Sequence, residues 1–223
     1  PPSKISEFEL VDEIKNIFSL LNKSKLNYII TWNINNELPS ALKVGKDIDI
    51  LIDKNDEKKF INFFHANNYQ TTNHPFRYDI FLYGVDRFEF KYMNYDNNID
   101  FDMVFQIAVR SLDAGQFIPL DQIVQESAWK NKRFEKISDD FGYWTLSYED
   151  ELVCLVARSI FDKREFKSGH IKRINELFKI INKNDVLEKF NMIFFEYTSR
   201  LIKYIEDQNY NEIINNYLKF KEY

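Results

Sequence analysis

The segment Asp47-Ile48-Asp49-Ile50-Leu51-Ile52-Asp53 constrains the fold of this chain more than any other. Side chains two residues apart on a strand project to the same face. A strand here sends Ile48, Ile50 and Ile52 towards a core and holds Asp47 and Asp49 together on the opposite face. Two carboxylates a few ångströms apart repel, which raises a pKa unless a cation neutralises them. Hard divalent cations such as Mg²⁺ bind through one or two carboxylates together with substrate phosphates. An edge strand with a merely acidic, solvated outer face gives the same pattern. A second segment, Ile99-Asp100-Phe101-Asp102-Met103-Val104-Phe105, shifts the balance by repeating the device with Asp100 and Asp102. Two such strands could place three or four carboxylates round one point, as a two-metal phosphoryl displacement requires.

The rest of the chain is organised by a change of hydrophobic period. Residues 6–23 carry Phe8, Leu10, Val11, Ile14, Ile17, Phe18 and Leu21 at helical spacing. Tyr28 to Trp32 reads as a short buried strand, and Asn33 to Lys46 as a polar connection containing Pro39 and Gly45. After the acidic strand, Asn55 or Asp56 is expected to cap a helix with Phe60, Phe63 and Phe64 on its apolar side. Tyr78 to Val85 and Phe88 to Tyr95 are expected strands, joined by a tight hairpin at Asp86-Arg87. From Asp121 the pattern is helical: Ile123–Lys130, Glu149–Phe161, Ile171–Ile181, Val186–Ile205 and Tyr210–Phe220, with Asn184-Asp185 as a break and cap. The expected architecture is α+β over residues 1–145, followed by an all-helical region over residues 146–223.

Composition excludes several classes. In a chain of 223 residues, 44% hydrophobic and 29% charged residues fit a packed protein with a sizeable core. A net charge of −5 argues against a double-stranded nucleic-acid binder holding many phosphates. No apolar run reaches the length of a membrane span, and a cytoplasmic location is expected. The single cysteine, Cys154, rules out an internal disulfide or a cysteine-rich zinc site, and its apolar neighbours mark it as a buried thiol. His65, His74 and His170 show no metal-ligand spacing. There is no Gly-x-Ser-x-Gly or Walker sequence. The richness in Asn, Ile, Lys, Phe and Tyr suggests an AT-rich bacterial genome, and Pro1-Pro2 without an initiator Met suggests a trimmed chain.

The order helix, strand, polar connection, Gly45-Lys46-Asp47-Ile48-Asp49-Ile50-Leu51-Ile52, helix, hairpin, then a strand with further aspartates resembles the nucleotidyltransferase superfamily of DNA polymerase β. That resemblance implies a mixed β-sheet with flanking helices and a helical C-terminal region completing the acceptor site. It assigns the first two metal carboxylates to Asp47 and Asp49 and the third to Asp102, with Asp100 as the alternative. Within the superfamily the chain looks most like proteins encoded among bacterial capsule and surface-polysaccharide genes, on residues 45–53, Phe117-Ile118-Pro119-Leu120, Glu151 to Lys163 and His170 to Ile174. The family ends its first strand with small Gly-Gly or Gly-Ser, which admits a triphosphate. Here Thr31-Trp32-Asn33 stands in that place: Thr31 can offer a hydroxyl, and Trp32 either fills the phosphate space or stacks on a base or sugar.

The resemblance implies an Mg²⁺- (or Mn²⁺-) dependent nucleotidyltransferase. Asp47, Asp49 and Asp102 would be its catalytic and metal residues, and Thr31, Trp32, Gly45, Lys46, Lys163 and Lys172 its nucleotide-binding residues. The partners implied are an NTP or CDP-linked donor and a sugar, sugar-phosphate or glycan acceptor. A phospho-alcohol transferase using a CDP-linked donor, and a non-catalytic binding module of a larger polysaccharide enzyme, are the alternatives. The densest basic cluster, Lys163, Arg164, Lys167, Lys172 and Arg173, is either a solvated helix face or the neutraliser of a phosphate. Arg164 and His170 match a loose ribonuclease-toxin spacing, which the helix-breaking Glu165-Phe166-Lys167-Ser168-Gly169 between them argues against.

Overall fold

A computed structural model of the chain describes residues 7–34, 36–42, 46–72, 87–92, 99–110 and 116–217. The expected strand Tyr78–Val85, the Asp86 side of its hairpin, Gly45 and His74 lie outside the described residues. Two compact units are present, residues 1–106 with 132–145 and residues 107–131 with 146–223. The segment 107–131 thus groups with the helical rear of the chain.

The first unit contains helices α1 (Glu7–Ser24) and α2 (Glu57–Ala66) and strands β1 (Tyr28–Ile30), β2 (Asp47–Ile52), β3 (Tyr69–Thr72), β4 (Arg87–Tyr92) and β5 (Asp100–Val104). Strands β8 (Arg133–Lys136) and β9 (Gly142–Thr145) also belong to it. Among the described residues these seven strands form one sheet in the order β3-β4-β5-β2-β1-β9-β8. The sheet is mixed: β2 runs parallel to β5 and β1 parallel to β9, while the other neighbours are antiparallel.

One face of this sheet carries the core. The Phe101 ring of β5 meets Phe18 of α1 at 6.1 Å and Phe64 of α2 at 5.0 Å. Both helices therefore cover the face that holds Ile48, Ile50 and Phe101. Phe18 also packs edge-on against Phe141 at 5.5 Å and against Tyr143 at 5.9 Å, which draws the β8–β9 hairpin into the same core. Truncating so enclosed a ring costs about 3–5 kcal/mol.

Several local expectations change. The antiparallel partners of β4 are β3 and β5, and β3, the four residues Tyr69-Gln70-Thr71-Thr72, is not among the expected strands. Ahead of α2, Asp53 caps a 3₁₀ turn at Lys54–Asp56 by accepting from Asn55 N, and Asp56 makes no side-chain cap. The β8–β9 hairpin falls where only connection was expected, and it returns to pair with β1.

The second unit contains the hairpin β6 (Ala108–Arg110) and β7 (Phe117–Pro119) and the helices α3 (Gln122–Asn131), α4 (Tyr148–Arg158) and α5 (Ser168–Leu177). Helices α6 (Lys183–Phe194), α7 (Thr198–Glu206) and α8 (Tyr210–Tyr217) complete it. Ser147 caps α4 by accepting from Asp150 N, and Glu149, Asp150 and Glu151 fill the first turn, where the helix dipole favours them. The expected helix Val186–Ile205 is broken at Phe195, whose φ of 49° ends α6 before α7 begins. Its cap is Asn182, which accepts from Asn184 N, two residues ahead of the expected Asn184-Asp185.

Candidate metal centre on two acidic strands

The parallel pairing of β2 and β5 sets the site. Its register places Asp47 beside Asp100 and Asp49 beside Asp102, while Ile48 and Ile50 fall beside Phe101 and Met103. Partners in register share a face, so the acids of both strands project away from the helices and the apolar residues towards them. Further along the acidic face Leu51 is fully buried, so polar character is confined to the start of β2.

Ligand oxygens of Asp47, Asp49 and Asp102 all lie within 4.8 Å of one another. Burial grows across the group: Asp47 is exposed, Asp49 half-buried, and Asp102 only 7% exposed. Asp100 sits beside Asp47 in register but outside this group. Three like charges at this spacing repel, and a cation drawn among them relieves the repulsion. The donors are all carboxylate oxygens, with no thiolate or imidazole, which suits a hard ion such as Mg²⁺ or Mn²⁺.

The end of β1 supports the acidic strand. Thr31 N donates to the Asp49 carbonyl at 3.2 Å, tying the chain after β1 to the middle of β2. The Thr31 hydroxyl is buried and makes no hydrogen bond among the described residues. Trp32 is half-buried and lines a crevice with Leu38, Leu42, Lys46, Asp47 and Asp49, whose free volume is about 10 Å³. That is room for about one water. Glu37 also lines the crevice, and its side chain forms an ion pair with Lys46.

Sequence reading missed Asn33, which holds this turn. Its Oδ1 accepts from Glu37 N at 2.8 Å and Leu38 N at 3.2 Å, and its amide donates to the Tyr143 hydroxyl. An asparagine after a strand is a signal for such a turn.

No family model matches the sequence, and no curated protein matches it. Among solved structures, the chain is similar to the antibiotic-resistance factor ANT(2'')-Ia in solution, with a TM-score of 0.50 and 12% identity over 89% of this chain and 98% of that one. A crystal structure of ANT(2'')-Ia in complex with adenylyl-2''-tobramycin gives a TM-score of 0.48 and 13% identity over 86% and 98% of the two chains. The lincosamide antibiotic adenylyltransferase LnuA, bound to lincomycin, gives 0.43 and 16% over 80% and 100%. The chain has a nucleotidyltransferase fold. The α+β architecture with a mixed sheet and a helical C-terminal region is therefore the observed one.

The remaining residues of interest on this nucleotidyltransferase fold lie in the second unit. Lys163 ends a π-helical turn at Ser159–Lys163, and Lys172 is exposed on α5. Arg173 leaves the expected basic cluster, because its guanidinium grips Glu151 in two bonds of 2.6 and 2.7 Å. Arg164 follows the π turn with a left-handed φ of 53°. Of the other histidines and cysteines, His65 sits 3.3 Å from the Thr71 hydroxyl. Cys154 is fully buried, and its thiol is pushed far up by desolvation, which makes it inert.

Proposed function

We propose that the chain is a nucleotidyltransferase that joins a nucleotidyl group from an NTP to a hydroxyl of a sugar or sugar-phosphate, in the surface-polysaccharide metabolism of a bacterial cytoplasm. The observation that carries this reading is the meeting of the Asp47, Asp49 and Asp102 carboxylates within 4.8 Å. The nucleotidyltransferase fold supports it.

In this reading Asp47, Asp49 and Asp102 hold Mg²⁺ or Mn²⁺. Such an ion, when bound, neutralises phosphate charge and stabilises the attacking and leaving oxygens of an in-line displacement. Asp102, the most buried of the three, also accepts the proton of the acceptor hydroxyl. As that proton passes to the Asp102 carboxylate, the hydroxyl oxygen bonds to the α-phosphorus, the bond to the bridging oxygen breaks, and pyrophosphate leaves. Thr31 offers its buried hydroxyl to a phosphate oxygen, and Trp32 stacks on the base or sugar. Lys46 immediately precedes the acidic strand, and Lys163 and Lys172 offer positive charge to a phosphate within the second unit. Residues 1–145 would thus carry the metal and the nucleotide.

One observation favours a second reading. The crevice beside Trp32 has a free volume of only about 10 Å³, which suits a non-catalytic module of the same fold. One experiment separates the two. Each NTP and each CDP-linked alcohol is supplied with Mg²⁺ and a panel of sugars and sugar-phosphates, and release of pyrophosphate or CMP is followed. Pyrophosphate release supports nucleotidyl transfer, and CMP release transfers the reading to a phospho-alcohol. Asp102→Asn should lower turnover by roughly 10²–10⁴-fold, the usual contribution of a general base. Silence from every donor leaves the non-catalytic module.

A further inference from the structure

Helix α4 runs into the π turn at Ser159–Lys163, and the strand β6 docks on that turn through Arg110 N, which donates to Asp162 Oδ1 at 2.6 Å. π turns are rare and frequently mark functional sites. Positive charge gathers round this one. Arg158, Lys167 and Arg110 act on Lys163, with Asp162 opposing them, and Arg158, Lys163 and Lys167 act on His170, at the start of α5. Two carboxylates answer part of that charge: Asp162 accepts from the backbone of Arg110 and is acted on by Arg158, Arg110 and Lys163, and Glu165 pairs with Lys167 at 3.5 Å. The cations Arg110, Arg158, Lys163 and Lys167 still outnumber these two carboxylates.

His170 is fixed from behind. The Ser159 hydroxyl donates to the Leu155 carbonyl at 2.8 Å, so the His170 Nδ1, 2.9 Å from the same oxygen, must carry the proton and donate to it. The lone pair then resides on Nε2. Burial, first, and then the cations Arg158, Lys163 and Lys167 hold the ring down to about 4, against a smaller opposing effect of Glu165. The imidazole is therefore neutral at pH 7 in a setting that would welcome a negative charge.

We propose that Arg110, Arg158, Lys163 and His170 form an oxyanion site in the second unit, for a phosphate ester or free phosphate, with His170 taking a proton on Nε2 as the anion binds. Planar guanidinium groups suit the oxygens of such an anion, and an ammonium adds a point charge. The site rests on the Lys163 part of the function proposed above and is independent of the three aspartates.

Sulfate is the probe, because it stays dianionic while His170 titrates. The full chain is kept in EDTA, so that no divalent metal contributes, and the His170 ring is followed by NMR as pH changes with and without sulfate. The His170 pKa should rise by at least about one unit in saturating sulfate. By linkage, sulfate then binds at least about tenfold more tightly to the protonated form. Lys163→Gln should weaken sulfate at least about fivefold, the low end of such couplings, while Lys183→Gln, on a lysine paired with Glu206 at 2.7 Å, should not change it. Competition by AMP or by inorganic phosphate tells an ester from a free ion. A His170 titration indifferent to sulfate overturns the site, as does Lys163→Gln binding like wild type. Retained sulfate binding beside an inactive enzyme would count against the function proposal alone.

Discussion

Two groups of carboxylates meet opposite electrostatic fates in the two units. In the second unit Asp150 is fully buried and completely answered. Lys189 donates to it at 2.5 Å, and the hydroxyls of Ser147 and Ser127 donate to its other oxygen at 2.8 and 3.0 Å. In the first unit Asp47, Asp49 and Asp102 face one another within 4.8 Å, and their common feature is like charge. Burying a charge requires a partner and hydrogen bonds, and the chain supplies both to Asp150. Gathering three acids adds mutual repulsion, which a cation drawn among them would relieve. One acid pairs with a buried lysine inside the helical unit, and the other three bring carboxylate oxygens together on two paired strands.

The sharpest way to break this comparison is to remove one partner of the answered charge. Asp150→Ala leaves Lys189 buried and unpaired, and should cost about 3–5 kcal/mol. Calorimetry should then place the melting temperature roughly 6–20 °C lower. Replacing both partners, as Asp150→Leu with Lys189→Met, should recover most of that loss. If the single variant costs less than about 1 kcal/mol, Asp150 is not the structural anchor that the three contacts of its carboxylate imply.

Trp32 tests the other side, because it lines the crevice against Asp47 and Asp49. If its ring stacks on a base or sugar, Trp32→Gly forfeits about 1–3 kcal/mol, as base–aromatic stacking does. Titration with a metal–nucleotide should then read a roughly 5- to 150-fold weaker affinity. A tighter complex would assign Trp32 to filling the phosphate space, and no change would leave it as core.

How much of this was legible in the sequence follows the range of each interaction. The face of β2 could be read from Asp47-Ile48-Asp49-Ile50 alone, because strand periodicity is local. Asp102 is named through the family resemblance, because no local pattern encodes the parallel pairing of β2 with β5 that sets it beside Asp49. The β8–β9 hairpin escaped because each strand has only four residues and pairs with β1 far back in the chain. The break at Phe195 escaped because an apolar residue at a left-handed φ is a tertiary outcome that helical spacing conceals. The basic cluster was only partly legible: Lys163 was visible as charge, whereas Arg173 was spent on Glu151, and Arg110 arrived from a distant hairpin.

The helical unit also carries a charge that is suppressed and left unanswered, and this sharpens the contrast with Asp150. His170 is held at about 4 in the fold, below the ordinary imidazole value of about 6.5. The folded state thus binds fewer protons than the unfolded chain between those values. Its contribution is complete above about pH 6.5 and is lost as pH falls towards 4. With solvent screening, the loss should amount to about 1–2 kcal/mol. Urea unfolding at pH 7 and pH 5 should show that loss in wild type and a smaller one in His170→Gln. Equal pH dependence in both would remove His170 from the account.

The smallest effect decides whether the acidic cluster is held against its own repulsion. Asp49→Asn removes one of three like charges while keeping the side chain's shape. Like charges on adjacent strands destabilise by about 0.2–1 kcal/mol. Without metal the variant should therefore melt at or slightly above wild type, by a few degrees at most. Wild type should gain about 1.4 kcal/mol in Mg²⁺ or Mn²⁺ at ten times its dissociation constant, since the ion binds the native state alone. The variant should lose that gain, because two of the three oxygen donors no longer make the same site. The sign in the absence of metal carries the argument. An Asp49→Asn chain that melts well below wild type in EDTA would mean that what the Asp49 carboxylate contributes to the fold outweighs the repulsion it meets, and the difference between the two clusters would disappear.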